Sequence, residues 1–80
     1  MPEVLLFTKP GCEKCEYVKE RIPPKVDVTI YDMGSADGLA EGAFYELLHK
    51  NVPILVVEGE VVEGALNIVK KLNALRGEGI

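Results

Sequence analysis

The chain has no tryptophan, a single histidine and only two cysteines, and none of its apolar runs is long. Each shortage excludes something. Runs this short cannot cross a bilayer as a helix, which takes about 20 consecutive apolar residues. Lysine and arginine form no cluster and have no aromatic residues interleaved with them, so the footprint of a nucleic-acid or anionic-membrane binder is missing. The net charge of -4 points the same way. No basic n-region, long apolar h-region or small-residue cleavage site opens the sequence, so a secretory signal is not expected. A closed zinc site needs four ligands, whereas the chain offers two thiols and the distant His49. A metal-binding role therefore calls for a site shared between two chains, and a metal-holding or adaptor module is the less favoured alternative. No repeat, low-complexity segment or linker breaks the 80 residues, and a single domain spanning residues 1–80 with one core is expected. The expected setting is a monomer in the cytoplasm, where thiols are kept reduced. A lone cysteine pair there is more often catalytic or metal-binding than a structural staple.

What the chain does have is a C-x-x-C, Cys12-Glu13-Lys14-Cys15, where an apolar strand turns into a helix. Val4 to Thr8 is a continuous β-prone run of the kind found in a strand covered on both faces. Lys9-Pro10-Gly11 ends it. From Cys12 the pattern is helical, with Cys15, Val18 and Ile22 on one face, until Pro23-Pro24 stops it. Val26, Val28 and Ile30 then alternate with Asp27, Thr29 and Tyr31, a second strand with one better-buried face, closed by Asp32-Met33-Gly34. Ser35 or Asp37 can cap a second helix whose apolar positions are Leu39, Ala40, Ala43, Phe44, Leu47 and Leu48, with Gly38 and Gly42 weakening its first turns. Ile54 to Val57 is a third strand, Glu58-Gly59 a tight turn, and Val61-Val62 a short returning strand edged by solvent-facing acids. Gly64 opens the last helix, with Ala65, Ile68, Val69, Leu72 and Leu75 on one face and Lys70 and Lys71 outward; Gly77 is a C′ stop and Glu78 to Ile80 a frayed tail. The order β-α-β-α-β-β-α predicts an α/β domain with a four-stranded mixed sheet and helices on both faces. Two β-α-β crossovers imply parallel strands ahead of an antiparallel hairpin.

Lys9-Pro10-Gly11-Cys12-x-x-Cys15 at a helix start, Val52-Pro53 before a strand, a hairpin and then Gly64 before the final helix closely resemble the glutaredoxin branch of the thioredoxin superfamily. The resemblance covers almost the whole chain and implies a thioredoxin-like fold. It implies that Cys12 is the attacking cysteine, Cys15 the resolving cysteine and Pro53 a cis-proline beside the site, with Lys9, Val52 and Gly64 in the substrate-binding surface. It implies glutathione as a candidate co-substrate and no bound organic cofactor. Two departures stand out. Glu13-Lys14 replaces the usual proline-tyrosine pair, and Leu66, followed by Asn67, occupies the apparent place of the acidic residue that the family uses in recognising glutathione. A redoxin of this shape served by thioredoxin reductase, for example as electron donor to ribonucleotide reductase, is therefore the neighbouring reading.

The chemistry follows from the placement of the thiols. Cys12 stands where unpaired N–H groups and the positive helix end favour a thiolate, which predicts a pKa of roughly 6 to 7.5 against about 8.5 for a free thiol. Lys9 and Lys14 add to this effect, whereas Glu13 and Glu16 oppose it. Lys9 reads equally as a solvated loop charge or a carboxylate contact. Cys15 shares a face with Val18 and Ile22 and is expected to be more buried. The expected activity is dithiol-disulfide exchange on protein disulfides or low-molecular-weight thiols, recharged by glutathione or by thioredoxin reductase. Were Val52-Pro53 cis, the backbone of Val52 could pair with an extended thiol peptide. Tyr17 borders the site, and His49 reads as a helix-end or surface cation.

Overall fold

The computed structural model describes residues 3–78. The seven elements come in the expected order: β1 (Val4–Thr8), α1 (Glu13–Lys19), β2 (Thr29–Asp32), α2 (Ala36–Phe44), β3 (Ile54–Val57), β4 (Glu60–Glu63) and α3 (Ala65–Glu78). One mixed sheet runs β2-β1-β3-β4. The two continuous apolar runs are its central strands and the two more polar ones its edges. β1 and β3 are buried at every position, and the alternation of side chains splits each between two cores. Val4, Leu6, Leu55 and Val57 meet Val18 of α1 and Ile68, Leu72 and Leu75 of α3. On the opposite face Leu5, Phe7, Ile54 and Val56 gather round Leu47, flanked by Tyr31, Met33, Tyr45 and Val52. Burying a leucine or phenylalanine in this way contributes about 1.5–3 kcal/mol, which is how so short a chain holds a two-faced sheet.

β1 and β2 are parallel, but β1 and β3 are antiparallel, as are β3 and β4. The second expected crossover is thus not a β-α-β unit, because β3 enters the sheet on the far side of β1 and runs the other way. β3 and β4 are joined by Glu58-Gly59, both at positive φ, the signature of a two-residue type I′ hairpin. Edge position also explains β2. Val26 and Val28 pack on the α1/α3 core before the strand begins, whereas Ile30, expected on that buried face, is 46% exposed. The second strand is therefore shorter than its alternation predicts.

α1 ends at Lys19, earlier than the expected Ile22. The Arg21 and Ile22 N–H groups donate to Val18 O and Lys19 O at 3.0 and 3.4 Å, tighter i→i−3 turns before Pro23, whose predecessor is barred from the helical region. α2 departs further. Its N-cap is Ser35, whose Oγ accepts from the Gly38 N–H at 3.0 Å, and not Asp37. Its buried residues are Gly38 and Gly42, and a Cβ on Gly38 would stand 1.8 Å from the Asp32 carbonyl oxygen. The glycines are the packing face and not a weakness, while the expected core residues Leu39, Phe44 and Leu48 are exposed. The helix closes at Phe44 because the Leu47 N–H donates to Gly42 O and the Glu46 N–H to Ala43 O, with Glu46 at φ 60, a Schellman ending that pulls Leu47 into the core. Gly77 does not stop α3, which continues to Glu78. Of the expected frayed tail, residues 79 and 80 lie outside the described residues.

Candidate functional site

β1 delivers the chain to Thr8, Lys9-Pro10-Gly11 turns it with Gly11 at φ 73, and Cys12 becomes the N-cap of α1. The Cys12 backbone is extended, at φ -97 and ψ 106, and its Sγ accepts from the Cys15 N–H at 3.1 Å. Sulfur takes the place that a serine or aspartate oxygen fills at most helix starts. The Cα atoms of Cys12 and Cys15 are 5.2 Å apart and the sulfurs form a disulfide. Cys15 is completely buried beside Val18, whereas Cys12 is half-buried. Glu13 and Glu16 occupy the first turn, but Glu16 is paired with Lys19 at 3.0 Å. Among the described residues Lys9 and Lys14 hold no ion pair.

Three recesses adjoin this turn. A groove of about 660 Å³ places Cys12 with Lys9, Glu16, Lys19, Ile30 and Asp32. A second, of about 770 Å³, lies between the start of α1 (Glu13, Lys14, Tyr17) and the start of α3 (Gly64, Ala65, Leu66). A smaller cleft of about 290 Å³ is lined by Lys9, Met33, Leu39, Leu48, Lys50 and Val52. Lys9 thus shares one recess with Cys12 and another with Val52, and Gly64 faces the residues between the cysteines. The Val52-Pro53 bond is cis and Pro53 is buried. Tyr17 borders the second groove, its ring covered by the Arg21 guanidinium at 3.6 Å. Leu66 is 68% exposed in that groove, and the Asn67 amide donates to Glu63 O at 3.2 Å, so its side chain is engaged with its own backbone. His49 lies beyond the end of α2, exposed, and lines none of the three recesses.

Ile30, Leu39 and Leu48 line these recesses although sequence periodicity assigns them to the core. An apolar stripe, of period two in a strand or 3.6 in a helix, looks the same whether it faces the core or a cleft, so no signal in the sequence marks them. On the α2 face, partial burial and then the nearby carboxylate of Glu41 for Tyr31, or of Glu3 for Tyr45, raise both phenols above their ordinary range. Among the described residues no three His, Cys, Asp or Glu side chains cluster as a metal site, and no helix is long and apolar enough to cross a membrane.

No protein-family model and no curated protein sequence matches the chain. Solved structures do. The thioredoxin-like protein BC3987 superposes with a TM-score of 0.69 at 25% identity, over 88% of this chain and 99% of that one. A threonine-to-alanine variant of it gives 0.69 at 26% identity, over 91% and 97%. The fold is therefore thioredoxin-like, and a C-x-x-C pair at disulfide distance on that fold fits a redox protein.

Proposed function

We propose that this thioredoxin-like small redoxin is a dithiol-disulfide oxidoreductase in which Cys12 attacks and Cys15 resolves. The observation that carries the proposal is the unequal burial of two sulfurs within bonding reach, the outer one at a helix N-cap. In the reduced protein the Cys12 thiolate attacks one sulfur of a substrate disulfide, forming a mixed disulfide and expelling a thiolate that takes a proton from solvent. Cys15, losing its proton, then attacks Cys12 Sγ and releases the second substrate thiol. Two electrons pass to the substrate, and the protein leaves with the Cys12–Cys15 disulfide. Lys9, Val52, Pro53 and Gly64 are the proposed substrate-binding surface, and protein disulfides or low-molecular-weight thiols in a reducing, cytoplasmic setting are the proposed partners.

The reductant that recharges the disulfide divides the proposal. A glutaredoxin-like cycle uses glutathione, whereas Leu66, an exposed apolar side chain where an acid would be expected to greet glutathione, favours a thioredoxin-reductase-type donor. A coupled assay on a small disulfide with each reducing system tests both levels. Cys12→Ser is expected to lose turnover by at least about 100-fold, since no other nucleophile replaces the thiolate. The system that sustains the wild type names the donor. Undiminished turnover in Cys12→Ser would end the proposal.

A further inference from the structure

Of the three recesses round the Cys12 turn, two mix acids with lysines, but the small cleft beside Val52 is lined by charge of one sign only, Lys9 and Lys50. In a protein of net charge -4 that is an inversion of the surroundings. Its floor is apolar: Met33, Val52 and two leucines, Leu39 and Leu48, that remain 48% and 55% exposed. Lys50 does hold Glu63 at 3.3 Å, with the lysine side chain 32% and the glutamate 52% exposed; a pair in contact with solvent is worth about 0–1 kcal/mol, so a partner carboxylate can take the place of Glu63. Lys9 lines the cleft and also the groove that contains Cys12, so one lysine borders both the cleft and the recess of the reacting sulfur. At about 290 Å³ it lies at the lower bound of small-molecule sites and has room for a side chain or two of an extended segment.

We infer that this cleft docks an acidic, leucine-bearing stretch of the polypeptide that carries the substrate disulfide. The inference rests on the proposed dithiol exchange and names the substrate class for it. An aliphatic side chain of the partner covers Leu39 and Leu48, while a neighbouring carboxylate sits between Lys9 and Lys50. Complementary charge of this sort gives register and encounter rate, and exclusion of water from the leucines gives affinity. Glutathione brings carboxylates but no aliphatic side chain, so the leucines distinguish a protein substrate from it.

The test uses the full chain, reduced beforehand and followed in single turnover, so that no recharging system enters. Substrates are a peptide disulfide with leucine and glutamate flanking the cysteine, the same peptide with serine and lysine, and hydroxyethyl disulfide. Proteins are the wild type, Leu39→Ser/Leu48→Ser and Lys50→Gln, with circular dichroism verifying that each is folded. The wild type is expected to prefer the leucine-glutamate peptide by about tenfold, equivalent to about 1.4 kcal/mol, and the preference is expected to shrink as salt is added. Both variants should lose most of it while keeping hydroxyethyl disulfide reduction within about twofold. Equal rates on the two peptides, or a preference that survives in both variants, overturns the docking inference and leaves dithiol exchange standing. Failure of the wild type on hydroxyethyl disulfide as well as on the peptides overturns both. Sedimentation velocity supplies the last outcome: a dimer that dissociates in Leu39→Ser/Leu48→Ser would give the cleft to a second copy and overturn the inference.

Discussion

α3 and α2 cover opposite faces of one sheet and are held to it by different means. α3 inserts Ile68, Leu72 and Leu75, each with 8% or less of its surface exposed, between the central strands and α1. α2 inserts its own backbone: Gly38 and Gly42 face inward, while Leu39 and Phe44 are 48% and 72% exposed. One helix spends its apolar stripe on the core, and the other keeps it at the surface. The contact that fixes α2 lies at the Asp32–Ser35 turn, where Asp32 O accepts from both the backbone N–H and the hydroxyl of Ser35 at 2.9 and 2.7 Å. A helix anchored through its first turn can present side chains to a substrate without loosening the fold.

This contrast can be broken most sharply at Gly38. A Cβ there meets the Asp32 carbonyl at 1.8 Å, and backbone cannot swing aside, so Gly38→Ala is expected to cost about 4 kcal/mol or more, at the extreme of single substitutions. For 80 residues, whose total stability is about 4–12 kcal/mol at 0.05–0.15 per residue, urea denaturation should show a largely unfolded population or α2 amides stripped of exchange protection. Unchanged stability would mean that the helix is not fixed by that approach. Leu72→Ala probes the opposite face. Deleting a fully buried leucine is expected to cost about 3 kcal/mol, lowering the urea midpoint with little change of slope, and a loss below about 1 kcal/mol would show that α3 is not held by its stripe. The smallest effect is expected at Gly42→Ala. There the new methyl meets Met33 Sδ and Cε at 2.8 Å, the far end of a flexible side chain. The gain of up to about 1 kcal/mol in helix propensity should offset that displacement to within about 1 kcal/mol in the same denaturation series, and a loss approaching that of Gly38→Ala would contradict the assignment of the anchor to the first turn.

The same two helices mark where the sequence was legible. β1, β3 and α3 declare themselves, because a strand buried on both faces is apolar without interruption and a helix packed through side chains shows the 3.6-residue stripe. The C-x-x-C at a helix start was equally plain, as was the Glu58-Gly59 turn, since the chemistry of each depends on residues adjacent in sequence. α2 misled for a physical reason. Its stripe of Leu39, Phe44 and Leu48 has core periodicity but faces outward, and what selects the buried side is a clash with Asp32 O, a contact between two elements that no local pattern encodes. The direction of β3 was hidden likewise, since connection length does not say on which side of β1 a strand will enter. The recesses round the Cys12 turn draw on β1, α1, β2, α2 and α3, so their membership emerged only with the fold.

The central place of β1 also bears on the order of events when the chain is made. β1 shares one edge with β2 and the other with β3, where Phe7 is paired with Ile54. A ribosome supplies about 5–20 residues per second, so several seconds separate the synthesis of those two residues. Throughout that interval the innermost strand has an unsatisfied edge and the Cys12 turn has no finished sheet behind it. The thiols therefore belong to an incomplete chain before they belong to a redox protein, and the sheet behind their turn is finished only by the last third of the polypeptide.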